Sequence, residues 1–157
     1  MHSQIFKLRS YQYSDLEGVI TVFQRAVRET ASQDYNPAQI AAWAQADRDS
    51  WQKRLLDSHC WVATIEDTIV GFGNVELDGH LDLMFTHPDY LRTGVASALL
   101  QKLEHSVIAM ALPVIFTEAS ITAKPFFSRR GYQLLAAQQV QVRGQNFINY
   151  RMSKSLI

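Results

Sequence analysis

The segment Leu81-Asp82-Leu83-Met84-Phe85-Thr86, His87-Pro88-Asp89-Tyr90-Leu91-Arg92-Thr93-Gly94-Val95-Ala96-Ser97, Ala98-Leu99-Leu100-Gln101-Lys102-Leu103-Glu104 decides how the chain is read. Residues 81–86 form a short apolar run of strand length. Ala98, Leu99, Leu100 and Leu103 recur at helical spacing. The loop between them has Pro88 near its start and Gly94 at its end. A strand, a turn of small residues and a helix make an anion site, because the first helical N–H groups lack partners and the helix dipole favours negative charge there. Gly94, Ala96 and Ser97 leave that backbone uncovered, and Arg92 adds a cation at its mouth. The same spacing also fits an ordinary strand-to-helix connection with close helix packing. Neither the Walker pattern nor the three-glycine dinucleotide fingerprint is present.

The segment from His87 to Leu100 resembles the acetyl-CoA-binding region of the GCN5-related N-acetyltransferases (GNAT), whose pattern is Gln/Arg-x-x-Gly-x-Gly/Ala. Gly94 and Ala96 match it; Leu91 stands where the family has Gln or Arg. A second, looser similarity runs from Ser120 to Tyr132, where the family has Asn-x-x-Ala-x-x-x-x-Tyr-x-x-x-Gly-Phe. Ala123, Phe126, Gly131 and Tyr132 fit. Ser120 replaces the Asn, and Phe127 replaces the Tyr that protonates the leaving thiolate.

The resemblance implies one N-acetyltransferase domain over residues 1–157. Its α/β (α+β) fold has a central mixed, mostly antiparallel sheet of about six or seven strands flanked by helices. It implies acetyl-CoA as cosubstrate, held by backbone amides of Met84, Phe85 and Thr86 and by Arg92, Thr93, Gly94, Val95, Ala96 and Ser97, with Ser120 and Phe127 nearby.

The chain has 157 residues, nearly half hydrophobic, with 15 basic and 15 acidic side chains. That length suits one domain. The balanced charge argues against a nucleic-acid partner. Arg129-Arg130 reads as a solvated helix end. The single cysteine, Cys60, lies in an apolar run and reads as a buried hydrophobe. No signal-type or membrane-spanning segment is apparent, which suggests a soluble cytoplasmic protein. Monomer and homodimer are both compatible with the sequence.

Residues 4–9 alternate as a first strand. Ser14 and Glu17 suggest a capping box for a helix reaching about Thr30. Asn36-Pro37 opens a short helix containing Trp43, and residues 47–56 form another with Trp51. The resemblance places this helical segment over the acceptor site and so makes Tyr35, Trp43 and Trp51 candidates for an aromatic acceptor pocket, with Trp51 better read as a core anchor. Residues 60–66, 69–76 and 80–86 form an antiparallel meander. Gly71 and Gly73 leave room for something close to one sheet face. Residues 113–119 form a strand parallel to the one at 80–86, since a helix joins them. Residues 138–142 and 146–152 form a closing hairpin. A short helix runs from a Ser120 cap to Gly131.

Amine acetylation needs an amine without its extra proton, a polarised thioester and a departing thiolate. Glu76, His80, Asp82 and Glu118 are the acid–base candidates, with Glu118 and Asp82 ahead. Strict alternation puts His80, Asp82, Met84 and Thr86 on one face. Tyr132 and Ser120 are the hydroxyls near the thiolate. The function expected is transfer of acetyl from acetyl-CoA to a primary amine of a small molecule or peptide, by direct attack in a ternary complex and without a metal. The departures at Leu91 and Phe127 leave a second reading, a CoA-binding module without turnover.

Overall fold

The computed structural model describes residues 5–157; Gln4, where the first expected strand begins, lies outside them. The strands are β1 (Lys7–Ser10), β2 (His59–Ile65), β3 (Thr68–Val75), β4 (His80–Thr86), β5 (Val114–Ala119), β6 (Gln133–Val142) and β7 (Gln145–Ser155). The helices are α1 (Leu16–Arg25), α2 (Pro37–Trp43), α3 (Arg48–Leu56), α4 (Val95–Ala109) and α5 (Lys124–Arg129). All seven strands join one sheet in the order β1-β2-β3-β4-β5-β7-β6. Every neighbouring pair is antiparallel except β4 with β5. That exception follows from the α4 crossover, because a strand returning through a helix re-enters the sheet in the same direction.

The sheet is covered on both faces. Val95, Leu99, Leu103 and Val107 repeat every four residues along α4 and are fully buried. They lie against glycine positions of β3: a Cβ on Gly71 would come within 2.7 Å of Val95, and one on Gly73 within 2.9 Å of Leu103. The close approach expected at these glycines is therefore the helix itself. On the opposite face α1 and α3 close a core around Phe23, Trp51 and Phe72. The Trp51 ring lies 4.6 Å from Phe23, so Trp51 is a core anchor.

Local chemistry moves several boundaries. Asp15, not Ser14, organises the entry to α1. Its carboxylate accepts the Gln12 N–H at 2.8 Å and is gripped by Arg9 at 2.7 and 3.0 Å. Glu17 pairs instead with Arg48 of α3. The first helix stops being α-helical at Arg25 and continues as a π-helical turn, Ala26–Thr30. Asn36 caps α2 as expected, its Oδ1 accepting the Gln39 N–H at 2.8 Å. The closing hairpin is longer than its apolar alternation suggested, and β7 inserts between β5 and β6.

Candidate functional site

Strands β4 and β5 share only two rungs, His80 with Phe116 and Leu81 with Thr117, and then part. A bulge accompanies the parting. Between Asn74 and Val75 of β3 the partner on β4 jumps from Leu83 to Leu81, so Asp82 is an extra residue. Asn74, fully buried, holds it in place. Its Oδ1 accepts the Leu83 N–H at 3.0 Å, and its Nδ2 donates to Ser58 at 3.0 Å and to Asp82 at 3.3 Å.

The bulge corrects two expectations. Leu81 and Met84 both enter the core beneath α4, whereas Leu83 and Phe85 enter the one beneath α1, so His80, Asp82, Met84 and Thr86 do not share a face. The Leu83 N–H and the His87 N–H both point to β3. By alternation the Phe85 amide also faces β3, and the Met84 and Thr86 amides face the gap. Phe85 contributes its ring to the wall instead, 5.0 Å from Phe23.

The gap widens into a cleft of about 440 Å³ whose lining includes Met84, Phe85, Thr86, Leu91, Ala96, Ser120 and Phe127. Gly94 precedes α4 with φ +90°, a conformation that side chains disfavour. No side chain caps this helix start, and the space beside Gly94 is open, with the Phe6 ring 3.9 Å from where a Cβ would sit. Leu91 and Ala96 reach the cleft. Arg92, Thr93, Gly94, Val95 and Ser97 surround the helix end without lining it. Val95 turns its side chain into the core, and the Thr93 hydroxyl donates to the Tyr90 carbonyl.

Arg130, passed over as a solvated helix end, belongs to this corner. Its guanidinium lies 3.7 Å over the Phe126 ring and donates to the Ser97 hydroxyl at 2.6 Å, and no carboxylate pairs with it among the described residues. An uncapped helix start with an unpaired guanidinium beside it fits the phosphates of a CoA ester. The parted strands fit its extended arm.

The acid–base candidates separate by their partners. Glu118 Oε1 and His80 Nε2 are 2.7 Å apart, and His80 Nδ1 meets Glu76 at 2.5 Å. Burial disfavours the charged His80 ring, but hydrogen bonds to Glu76 and Glu118 outweigh it and raise its pKa. Asp82 is held by Arg54 through two bonds of 2.6 Å. Glu76, His80 and Asp82 bring potential metal ligands within 4.8 Å of one another. Arg54 already neutralises Asp82, so this is a poor cation site. Tyr132 is buried away from the cleft and donates to Glu104 at 2.7 Å. Burial first, then that carboxylate, pushes its pKa well up. Phe127 lines the cleft as a buried ring against Tyr132. Ser120 lines it too, its hydroxyl accepting the Ala123 N–H at 3.1 Å.

A second pocket of about 150 Å³ adjoins the cleft, and Trp43, Glu118, Ser120 and Asn149 line both. Tyr35 and Trp43 pack edge to face at 5.2 Å, and Phe147 stands 5.8 Å from Tyr35. The Tyr35 hydroxyl accepts the Ile121 N–H at 2.9 Å, which ties this corner to the end of β5. Two buried oxygens lack partners among the described residues, Thr30 Oγ1 on the cleft and Asn149 Oδ1 where the cleft meets the pocket. Phe147 and Asn149 carried no signal in the sequence, where they read as hairpin positions. Only the pairing of β7 with β5 brings them here.

The chain matches the acetyltransferase (GNAT) domain family over residues 31–154. It is 44% identical over 146 residues to the N-acetyltransferase YafP of Escherichia coli (strain K12), covering 93% of each protein. The crystal structure of a GCN5-related N-acetyltransferase from Rhodopseudomonas palustris superimposes with a TM-score of 0.95, at 30% identity over 99% of each chain. PaiA N-acetyltransferase from Thermoplasma acidophilum, solved with coenzyme A, shares the fold at a TM-score of 0.79 and 15% identity, over 97% of this chain and 99% of that one. Parted strands, an uncapped helix start and these likenesses lead to one conclusion: the chain belongs to the GCN5-related N-acetyltransferase family and is an acyltransferase with acetyl-CoA as its cosubstrate.

Proposed function

We propose that the protein transfers acetyl from acetyl-CoA to a primary amine by direct attack within a ternary complex, with Glu118 as the general base. The observation that carries this reading is that Glu118 lines both the cleft and the adjoining pocket. A carboxylate at that junction stands between an acetyl group delivered through the parted strands and an amine in the pocket.

Acetyl-CoA, when bound, supplies an activated thioester. The Met84 amide, facing the gap, would donate to the carbonyl oxygen as negative charge develops there. Glu118 takes the amine proton. His80 bonds Glu118 Oε1 through Nε2 and Glu76 through Nδ1, which holds the Glu118 carboxylate in place and leaves its Oε2 open for that proton. The side chain of Glu118 is itself 36% exposed and returns the proton to solvent. Phe127 has no proton to give the thiolate, and Tyr132 has its own held by Glu104. A thiol with an ordinary pKa of ~8.5 needs little help to leave as the anion.

Direct attack is favoured over an acyl-enzyme. Cys60 is buried in the core beneath α1, and desolvation raises its pKa, so it is a poor nucleophile. The test is initial-rate kinetics with acetyl-CoA and an accepted amine. Intersecting double-reciprocal plots and full activity in Cys60→Ala are expected. Parallel plots, or CoA binding without turnover on any amine, would defeat the reading.

A further inference from the structure

We infer that the acceptor is a compact apolar primary monoamine without a carboxylate, a deduction that rests on the acetyl-transfer reading above. The adjoining pocket decides it. Its far wall is Tyr35, Trp43, Val140, Val142 and Phe147, and none of its nine lining residues is a lysine or arginine. Among the described residues Arg54 is the single lysine or arginine lining the cleft, and Asp82 neutralises it through both carboxylate oxygens. A substrate carboxylate would therefore be buried without a positive partner.

The junction has the opposite character. The side chain of Glu118 is 36% exposed there, and its Oε2 makes no hydrogen bond among the described residues. Asn149 Oδ1, on the same border, is a buried acceptor with no donor. An ammonium group brings three donors and one positive charge, which suits two open acceptors of which one is anionic. The whole pocket, at about 150 Å³, has room for on the order of five water-sized groups. It offers a second ammonium, such as a diamine carries, no partner. The three aromatic rings and two valines instead suit a short branched alkyl or small aryl tail.

The experiment compares isopentylamine with leucine, which adds only the carboxylate, and with putrescine, an unbranched chain of four carbons with a second amine at its far end. Thiol release at saturating acetyl-CoA is followed on the full chain. A kcat/KM for isopentylamine on the order of 100-fold above that for leucine or putrescine is expected. Ile148 lines the pocket and is 48% exposed, so Ile148→Lys can add a cation without disturbing the core. That variant should narrow the isopentylamine-to-leucine ratio by about tenfold, a shift that a merely structural effect would not produce.

Equal or better use of leucine or putrescine would overturn the inference while leaving acetyl transfer standing. So would an unchanged ratio in Ile148→Lys. Binding of CoA with none of the three amines acetylated would also overturn it. Failure to bind CoA at all, measured by calorimetry, would instead defeat the acetyl-transfer reading on which it rests.

Discussion

His80 Nε2 lies 2.7 Å from Glu118 Oε1, across the last rungs that still join β4 to β5. Sheet pairing fixes both backbones at that point, and the strands diverge just beyond. The pair therefore stands on rigid elements at the mouth of a gap, where the position of a base can be held.

If Glu118 removes the amine proton, Glu118→Gln should lower kcat/KM by about 10²- to 10³-fold. CoA affinity, set at the other end of the cleft, should not change. Because an amine can also lose its proton to water, the variant should recover as pH rises toward the amine's own pKa. Steady-state kinetics across pH, with calorimetry for CoA, check this. Unaltered turnover would move the base elsewhere.

The raised pKa of His80 carries a sign for stability. The folded protein holds the imidazole proton more tightly than the unfolded chain, since Glu76 and Glu118 accept its two N–H groups and Asp82 adds to their field, against the cost of burial. Its contribution is therefore fully present below the ordinary histidine pKa of about 6.5 and is lost as pH rises through the raised folded value. The stability difference between wild type and His80→Gln in urea unfolding should be larger at about pH 5.5 than at about pH 9. A difference that grows with pH would contradict the assignment.

Asn74 should prove necessary for the bulge. Asn74→Ala removes the acceptor of the Leu83 N–H and a donor to Asp82 from a fully buried position. A loss of about 2 kcal/mol is expected, with part of the effect appearing as weaker CoA binding because the gap partly closes. Chemical denaturation and calorimetry read the two effects separately.

Gly94→Ala tests conformation rather than space. Nothing nearer than the Phe6 ring would touch the added methyl, but φ +90° disfavours any side chain. A cost of about 1 kcal/mol is expected, lowering Tm by roughly 2–4 °C in a chain of this size. Gly94→Glu adds an anion at the helix start and should cut CoA affinity by about tenfold or more.

Arg130→Ala should weaken CoA binding by about tenfold and leave kcat near wild type. The guanidinium rests on Phe126 and Ser97 beside the α4 start, far from Glu118 in role. The affinity difference should shrink as salt is raised, because the contact is partly exposed. Salt-independent loss would assign Arg130 to packing.

The order of strands and helices was legible because each element's burial follows its own sequence period. Val95, Leu99, Leu103 and Val107 announce the buried side of α4, and Asn36-Pro37 announces the start of α2. The uncapped glycine turn before α4 was legible for the same local reason, since Gly94 and Ala96 are adjacent in sequence to the backbone they expose. Alternation misled on β4, because a bulge at Asp82 inverts the phase and nothing in Leu81-Asp82-Leu83 advertises the jump. The cap at Ser14 failed because the chain enters through a 3-10 turn capped at Gln12, whose N–H donates to the Asp15 carboxylate that Arg9 holds from the preceding strand.

The sequence by itself determined a strand-turn-helix with an exposed glycine ahead of α4 and a sheet with one parallel pair, both consequences of short-range geometry. The tertiary structure alone decided that Glu118 meets His80, that Arg130 comes to Ser97, and that Phe147 and Asn149 close a pocket with Tyr35 and Trp43. Those contacts join residues 33 to 114 positions apart, and side chains so distant are brought together by sheet pairing and helix packing, which no local period encodes.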